Sequence, residues 1–564
     1  MPRSHPAHRN VLCGKDLDDR FSEKEAQMKK FIAALSVLAI SFIVSACSDK
    51  GNSAALFAVE GVVSGLTGTL TLQNNGGDDL TVTTNGPFTF PTAMTPGSSY
   101  IVTVGTNPTG KTCVVSNGTG TILISNVTNV SVDCIERGGL DVTFNSPNGF
   151  AVQNNAAGSN GDDSGKAIAV DSQGRMLVAG SSTNSAGNTD MALWRFNANG
   201  TLDTTFNGSG IVVHNSAAGG AGDDSGKAIA VDSQGRILVA GSSTNSAGNK
   251  DMVIWRFNVN GTLDTTFNGS GTIVNNGAAG GVGDDSGNAI ALDSQGRILV
   301  AGSSTNSAGN NDMVVWRFNA NGTVDTGFNK SGIVVNIDVA GGVGDDSGNA
   351  IVVDSQGRIL VAGSSTDSSG NKDMVVWRYK TDGTIDTTFN TTGIVINNGA
   401  AGGSGDDFGN AIAVDSQGRI LVAGSSTNIS GNTDMVIWRF KADGTLDTTF
   451  NNSGIVINNG AAGSNGNDSG NAIAIDFQGG ILLTGSSTNT AGNTDMVVWK
   501  FNADGTLDTT FNNSGIVINN GAAGGNGNDS GNALAIDSQA RILITGSSTN
   551  GAGNTDMVIW RVLP

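Results

Sequence analysis

Aspartate recurs along this chain at a fixed interval. Asp163, Asp224, Asp285, Asp346, Asp407, Asp468 and Asp529 stand 61 residues apart in Gly-rich stretches, the first five behind a second aspartate and the last two behind Asn467 and Asn528. Carboxylate, amide and backbone oxygens are what a hard cation prefers, so the series is a candidate Ca²⁺ set, although no copy has the EF-hand spacing. Asp and Asn beside glycine also form turns by bonding their own backbone, and that reading stands next to the first. A second aspartate series, Asp190, Asp251, Asp312, Asp373, Asp434, Asp495 and Asp556, is matched five residues on by Arg195, Arg256, Arg317, Arg378, Arg439, Lys500 and Arg561. Residues five apart on a strand face opposite sides. The contact expected is therefore an ion pair between neighbouring units, with an anion site in the basic series as the alternative.

Other chemistry is scarce. The chain has three histidines, His5, His8 and His214, and no glutamate follows Glu136. From Gly138 onward there is no cysteine and only His214, which reads as a surface residue. General acid–base and nucleophilic catalysis at neutral pH have few tools here. A glycosidase needs two carboxylates in unlike environments, whereas repeated aspartates share one environment. Departures from the repeat, such as Lys330, Ile337, Asp338, Phe408, Phe477, Gly480 and Ala540, are scattered along the sequence. Gly-rich runs such as Gly219-Gly220-Ala221-Gly222 lack the Gly-Lys-Ser/Thr of a phosphate loop. The formal charge of −19 argues against nucleic acid, which requires clustered Lys and Arg.

The elements that position these residues follow from the tryptophans. All 7 fall at the same spacing, from Trp194 to Trp560. A period of this size signals a propeller, solenoid or array. One unit reads as Ala228 to Val231, a turn at Asp232 to Gly235, Arg236 to Ala240, a polar loop, Asp251 to Phe257, and Thr272 to Val274. Four short strands with no helical pattern predict a propeller blade, and the tryptophan is expected to be core between blades. The last unit stops after its third strand at Pro564, while Gly149 to Val152 supplies a fourth strand ahead of the first unit. Pairing the two would close a ring and remove a free sheet edge. The fold expected is all-β: a seven-bladed β-propeller over 138–564.

The runs Gly235 to Gly241, Asp251 to Phe257 and Gly261 to Asn268 resemble the delta-60 repeat family of bacterial proteins. The resemblance spans about three quarters of the chain. It implies a β-propeller and carries no known activity.

Upstream, residues 57–137 alternate in short strands broken by turn residues, which predicts a small β-sandwich. Its pattern resembles immunoglobulin-like or prealbumin-like modules. Cys113 and Cys134 are expected to form a disulfide in an oxidising compartment, with a metal or redox pair as the weaker reading. Before this lies Met28-Lys29-Lys30, an apolar run to Val44, and Val44-Ser45-Ala46-Cys47. This is the pattern of a secretory signal, and the apolar run is short for a membrane span. Its end resembles the bacterial lipobox, which implies lipid attachment at Cys47, a signal peptide over 28–46 and a tether over 47–56. Ser48 after the cysteine implies outer-membrane sorting within that family. Residues 1–27 fit no signal and read as an untranslated or disordered extension, with Met28 as the start.

The expectation for function is a non-catalytic binding or scaffold protein, lipid-anchored at the bacterial cell envelope, with an unidentified protein or glycan ligand. The alternatives are a Ca²⁺-dependent lectin-like propeller and a polysaccharide-degrading enzyme.

Overall fold

The computed structural model describes residues 55–564. The expected signal, Cys47 and the extension at 1–27 lie outside them. The described chain is all-β and forms nine four-stranded sheets. Seven of these repeat along 150–564 and the other two lie upstream.

In the first repeated sheet, Gly158–Val170, Met176–Asn184, Thr189–Phe196 and Ile211–His214 pair antiparallel in chain order. Side-chain chemistry sets each turn. Asp171 Oδ1 accepts from the amides of Gln173 and Arg175, both at 2.9 Å, which fixes the first hairpin. Asn184 Oδ1 accepts from the amides of Ala186 at 2.9 Å and Asn188 at 3.2 Å, which fixes the second.

The first strand is longer than its apolar run implied. In the second repeat it is Gly219–Val231, so the Gly-rich stretch ahead of the apolar run is strand as well, and Asp224 lies opposite Ser243. Glycine permits this: a Cβ on Gly220 would stand 2.2 Å from the carbonyl oxygen of Asn245. Only a bare backbone runs that close to its neighbour.

The last three strands of the chain, Gly524–Ile536, Ile542–Asn550 and Thr555–Val562, take Phe150–Gln153 as their fourth. Trp560 lies opposite Phe150 and Met557 opposite Gln153. First strands of successive sheets touch one another, and Gly524–Ile536 touches Gly158–Val170. All seven tryptophans are fully buried. Trp255 packs with Leu193 and Phe206 of the preceding repeat, and Trp194 with Leu543, Met557 and Ile559 of the last. Large apolar area is thereby buried between sheets, the main source of cohesion in such an array.

Upstream, two four-stranded sheets share a core that includes Val59, Leu72, Phe88, Phe90 and Val132. Cys113 and Cys134 lie opposite each other on adjacent strands and are joined as a disulfide.

Candidate functional site

The first aspartate series is buried, six members within first strands and Asp346 just ahead of one that begins at Ser347. Asp163 Oδ2 accepts from the Asn155 amide at 2.7 Å, and Asp224 Oδ2 from the Ser216 amide at 2.7 Å. The remaining five repeat the contact. Each carboxyl therefore clamps the turn that brings the chain from one sheet to the next. Burial raises these groups, Asp163 to about 6 against the pull of Ser182 and Asn155. Each is a single carboxylate with one oxygen accepting from a turn N–H, and the other oxygen of Asp163, Asp224, Asp285, Asp407 and Asp468 is buried without a hydrogen-bond partner among the described residues. One carboxylate per turn fits a clamp better than a Ca²⁺ cage of converging oxygens. Among the described residues no group of three or more His, Cys, Asp or Glu is placed to hold a metal ion.

The second series and its arginines do not pair with each other. Asp190 Oδ1 accepts from Asn184 Nδ2 at 2.7 Å and braces a hairpin. Arg195 Nε instead donates to Asp203 Oδ2 at 2.8 Å, eight residues on in the same unit. Its Nη1 donates to the Val259 carbonyl of the next unit, and its guanidinium lies 4.4 Å from the Phe206 ring centre. The expected carboxylate–arginine pair between neighbours is thus replaced by a guanidinium–carbonyl contact. The arginines are buried and held by internal partners, which leaves the basic series poorly suited to an external anion. The last copy uses Asp141, with Arg561 Nε donating to its Oδ2 at 2.8 Å. The signal for this partner was present: Asp203 recurs at the same interval within Gly-Thr-Leu-Asp-Thr-Thr-Phe.

His214 is not a free surface group. Its Nδ1 accepts from Trp255 Nε1 at 3.2 Å, and burial holds the imidazole below its usual pKa. Asparagine does the same work elsewhere, as where Trp316 Nε1 donates to Asn275 Oδ1 at 2.8 Å.

Several departures from the repeat, scattered in sequence, meet in space. Phe477, Lys500 and Ala540 line one cavity of about 500 Å³ with Asn107, Arg137 and Pro564. There Gly480 stands where other units carry arginine, and Lys500 Nζ lies 3.7 Å from Asp476 Oδ2. Arg137, from the segment leading into the array, fills part of the gap. Its Nη1 donates to Thr510 Oγ1 at 2.8 Å and its Nη2 lies 3.9 Å from Asp508 Oδ2. Lys330, Ile337, Asp338 and Phe408 do not join this group.

The outward surface is the most regular part. Each second hairpin ends in a short exposed tip, Ser185-Ala186-Gly187 in the first unit and Ser246-Ala247-Gly248 in the second. The tips are tied across sheets, with Asn188 Nδ2 donating to the Ala221 carbonyl at 2.9 Å.

No curated protein matches the sequence. Among solved structures, a protein of unknown function from Dyadobacter fermentans is 11% identical, over 73% of this chain and 97% of that one, with a TM-score of 0.39. An ulvan lyase, a polysaccharide lyase solved with a bound saccharide, is 12% identical over 71% and 94%, with a TM-score of 0.41. A fucose lectin from Kordia zhangzhouensis, solved with methyl-fucoside, is 13% identical over 31% and 97%, with a TM-score of 0.20. Their ligands and reactions are their own. Residues 172–206, 233–267, 294–328, 355–389, 416–450 and 479–511 match the family described as domain of unknown function (DUF5122) beta-propeller. Residues 218–246 and 400–429 match the beta-propeller repeat SBBP. The array is a run of β-propeller repeats.

Proposed function

We propose that this chain is an exported, lipid-anchored, non-catalytic binding or scaffold protein of the bacterial cell envelope. In this reading residues 138–564 form a closed seven-bladed propeller, 57–137 a β-sandwich, and Cys47 carries the lipid of an outer-membrane lipoprotein. Closure is supported by Phe150–Gln153 completing the last sheet and by the Asp141–Arg561 pair.

The observation that carries the binding role is the division of labour among repeated residues. Recurrent Asp and Arg side chains are engaged internally, while short braced tips of small residues, with Ile429 as the apolar exception, face outward from the units. A repeated surface of this kind suits weak, multivalent contact with a polymer or a repetitive partner, where linked sites raise avidity without new contacts.

Glycan-array binding of the soluble protein, with and without Ca²⁺, tests the role. Binding to polymers that is indifferent to Ca²⁺ supports it. Binding that requires Ca²⁺ favours the lectin reading, and release of shortened saccharides from a polysaccharide overturns the non-catalytic one. Palmitate labelling lost in Cys47→Ser tests the anchor, and a peptide from residues 1–27 in the cellular protein would exclude a start at Met28.

A further inference from the structure

One position on the first strand of each repeated sheet breaks the symmetry. It is asparagine in the last five units, Asn288 to Asn532, but Lys166 and Lys227 in the first two. The asparagines link neighbouring sheets without charge. Asn288 Nδ2 donates to the Gly348 carbonyl at 3.2 Å, and Asn532 Nδ2 to the Gly165 carbonyl at 2.9 Å. The structural task at this position is therefore met by a neutral amide.

The lysines make the same reach to the next sheet but bring charge. Lys166 Nζ donates to Ser225 Oγ at 2.8 Å. Lys227 Nζ donates to Ser286 Oγ at 2.6 Å and to Asn288 Oδ1 at 3.1 Å. Both side chains are half-buried, on adjacent strands, and all three acceptors are neutral. Among the described residues neither amine has a carboxylate partner. Burial depresses both groups, helped by Lys250 at Lys166 and by Lys166 and Lys250 at Lys227, while Asp223 and Asp284 oppose it from beyond ion-pair distance, and Lys227 comes to about 8. Two adjacent, partly desolvated ammonium groups with no carboxylate within ion-pair distance are costly. A bound anion would offset that cost.

Donors remain for one. Lys166 uses one of its three N–H groups and Lys227 two. The Ser225 hydroxyl accepts from Lys166, which leaves its own proton free to point elsewhere, whereas Ser286 donates to Asn288 Oδ1 at 2.8 Å. We propose that Lys166, Lys227 and the Ser225 hydroxyl form a site for one compact oxyanion, a carboxylate or sulfate group, either free or carried on a small acidic sugar. The site uses only the first three repeated sheets, so it depends neither on ring closure nor on the lipid anchor. It adds a charged, single-copy ligand site to the repeated outer surface, and the two can fail separately.

Isothermal titration of the full chain near pH 7 with sodium sulfate, sodium glucuronate and glucose tests it. The sulfate and glucuronate arms separate a free ion from a sugar-borne group. The control variant is Lys166→Asn with Lys227→Asn, which installs what the other five units carry and should fold as they do. The expected result is one saturable site per chain for an anion, none for glucose, and a loss of at least about tenfold in the double variant. Preference for glucuronate over sulfate assigns the sugar-borne form, and the reverse the free ion. Should the double variant not melt cooperatively, Lys227→Asn alone is compared, with a weakening of about threefold or more expected. Absence of saturable heat with both anions, or equal binding by a folded variant, overturns the proposal.

Discussion

The same clamp is built in two ways in the second and the sixth unit. In the second, Arg256 Nε donates to Asp264 Oδ2 at 2.8 Å, Arg236 Nη1 lies 3.8 Å from the same oxygen, and the Arg256 side chain is 3% exposed. In the sixth, lysine replaces one arginine and glycine the other, and Asp508 has Arg137 at 3.9 Å, a more exposed partner from outside the array. The lesson is that these charges hold sheets together. Where the array lacks one, the segment joining it to the upstream sheets supplies a substitute, and a cavity is left beside it.

The difference is broken most severely at the regular clamp. Asp264→Ala leaves the buried Arg256 guanidinium unpaired and should cost about 3–5 kcal/mol. Asp508→Ala, at the wetter and looser copy, should cost about 1 kcal/mol or less. Denaturant melts of the two variants side by side check this, and equal losses would erase the contrast.

A smaller effect comes from the turn clamps. Burial pushes the Asp163 carboxyl up to about 6 in the fold, from an ordinary 3.8. A carboxyl raised by folding adds stability as pH falls through its folded pKa, because the folded state then takes up the proton first. Asp163→Asn should therefore remove about 2 kcal/mol of the stability change between pH 7 and pH 4. Asp203, held low by Thr205 and Arg195 against its burial, titrates below this window. Melting of wild type and variant across pH 4–7 isolates the term, and parallel curves would contradict it.

Two further changes restore the repeat's usual residue. Ala540 adopts φ 62°, where the equivalent Gly235 has 77°. Ala540→Gly should stabilise by about 1 kcal/mol, since the left-handed region strains alanine, and a lower melting temperature would refute this. His214→Asn should shift stability near pH 7 by about 0.5 kcal/mol or less. Its sign appears on acidification: a histidine held low in the fold loses stability as pH falls through its unfolded value, and the asparagine variant does not. A pH dependence unchanged by the substitution would count against the Trp255 contact.

Much of the architecture was legible because it is copied. The tryptophan interval marked the units, and Phe150, matched to the fourth strand of later units, lies opposite Trp560. The contacts between units were harder to read. Periodicity places Arg195 on a strand but says nothing of a partner reached around a turn in its own unit, so an aspartate of the second series in a neighbouring unit was the expected partner and Asp203 the actual one. Gly219 to Gly222 read as loop because glycine normally breaks strands, yet here close backbone approach requires it. Phe477, Lys500 and Ala540 looked unrelated because nothing in a linear period shows that Arg137 returns to the same place.

Hydrogen exchange tests the closed ring most directly. Closure predicts that the amides of Thr555–Val562 are protected as strongly as those of Lys250–Phe257, because Phe150–Gln153 covers the one strand as Thr272–Asn275 covers the other. Fast exchange confined to Thr555–Val562 and Phe150–Gln153, as at a frayed sheet edge, would contradict it.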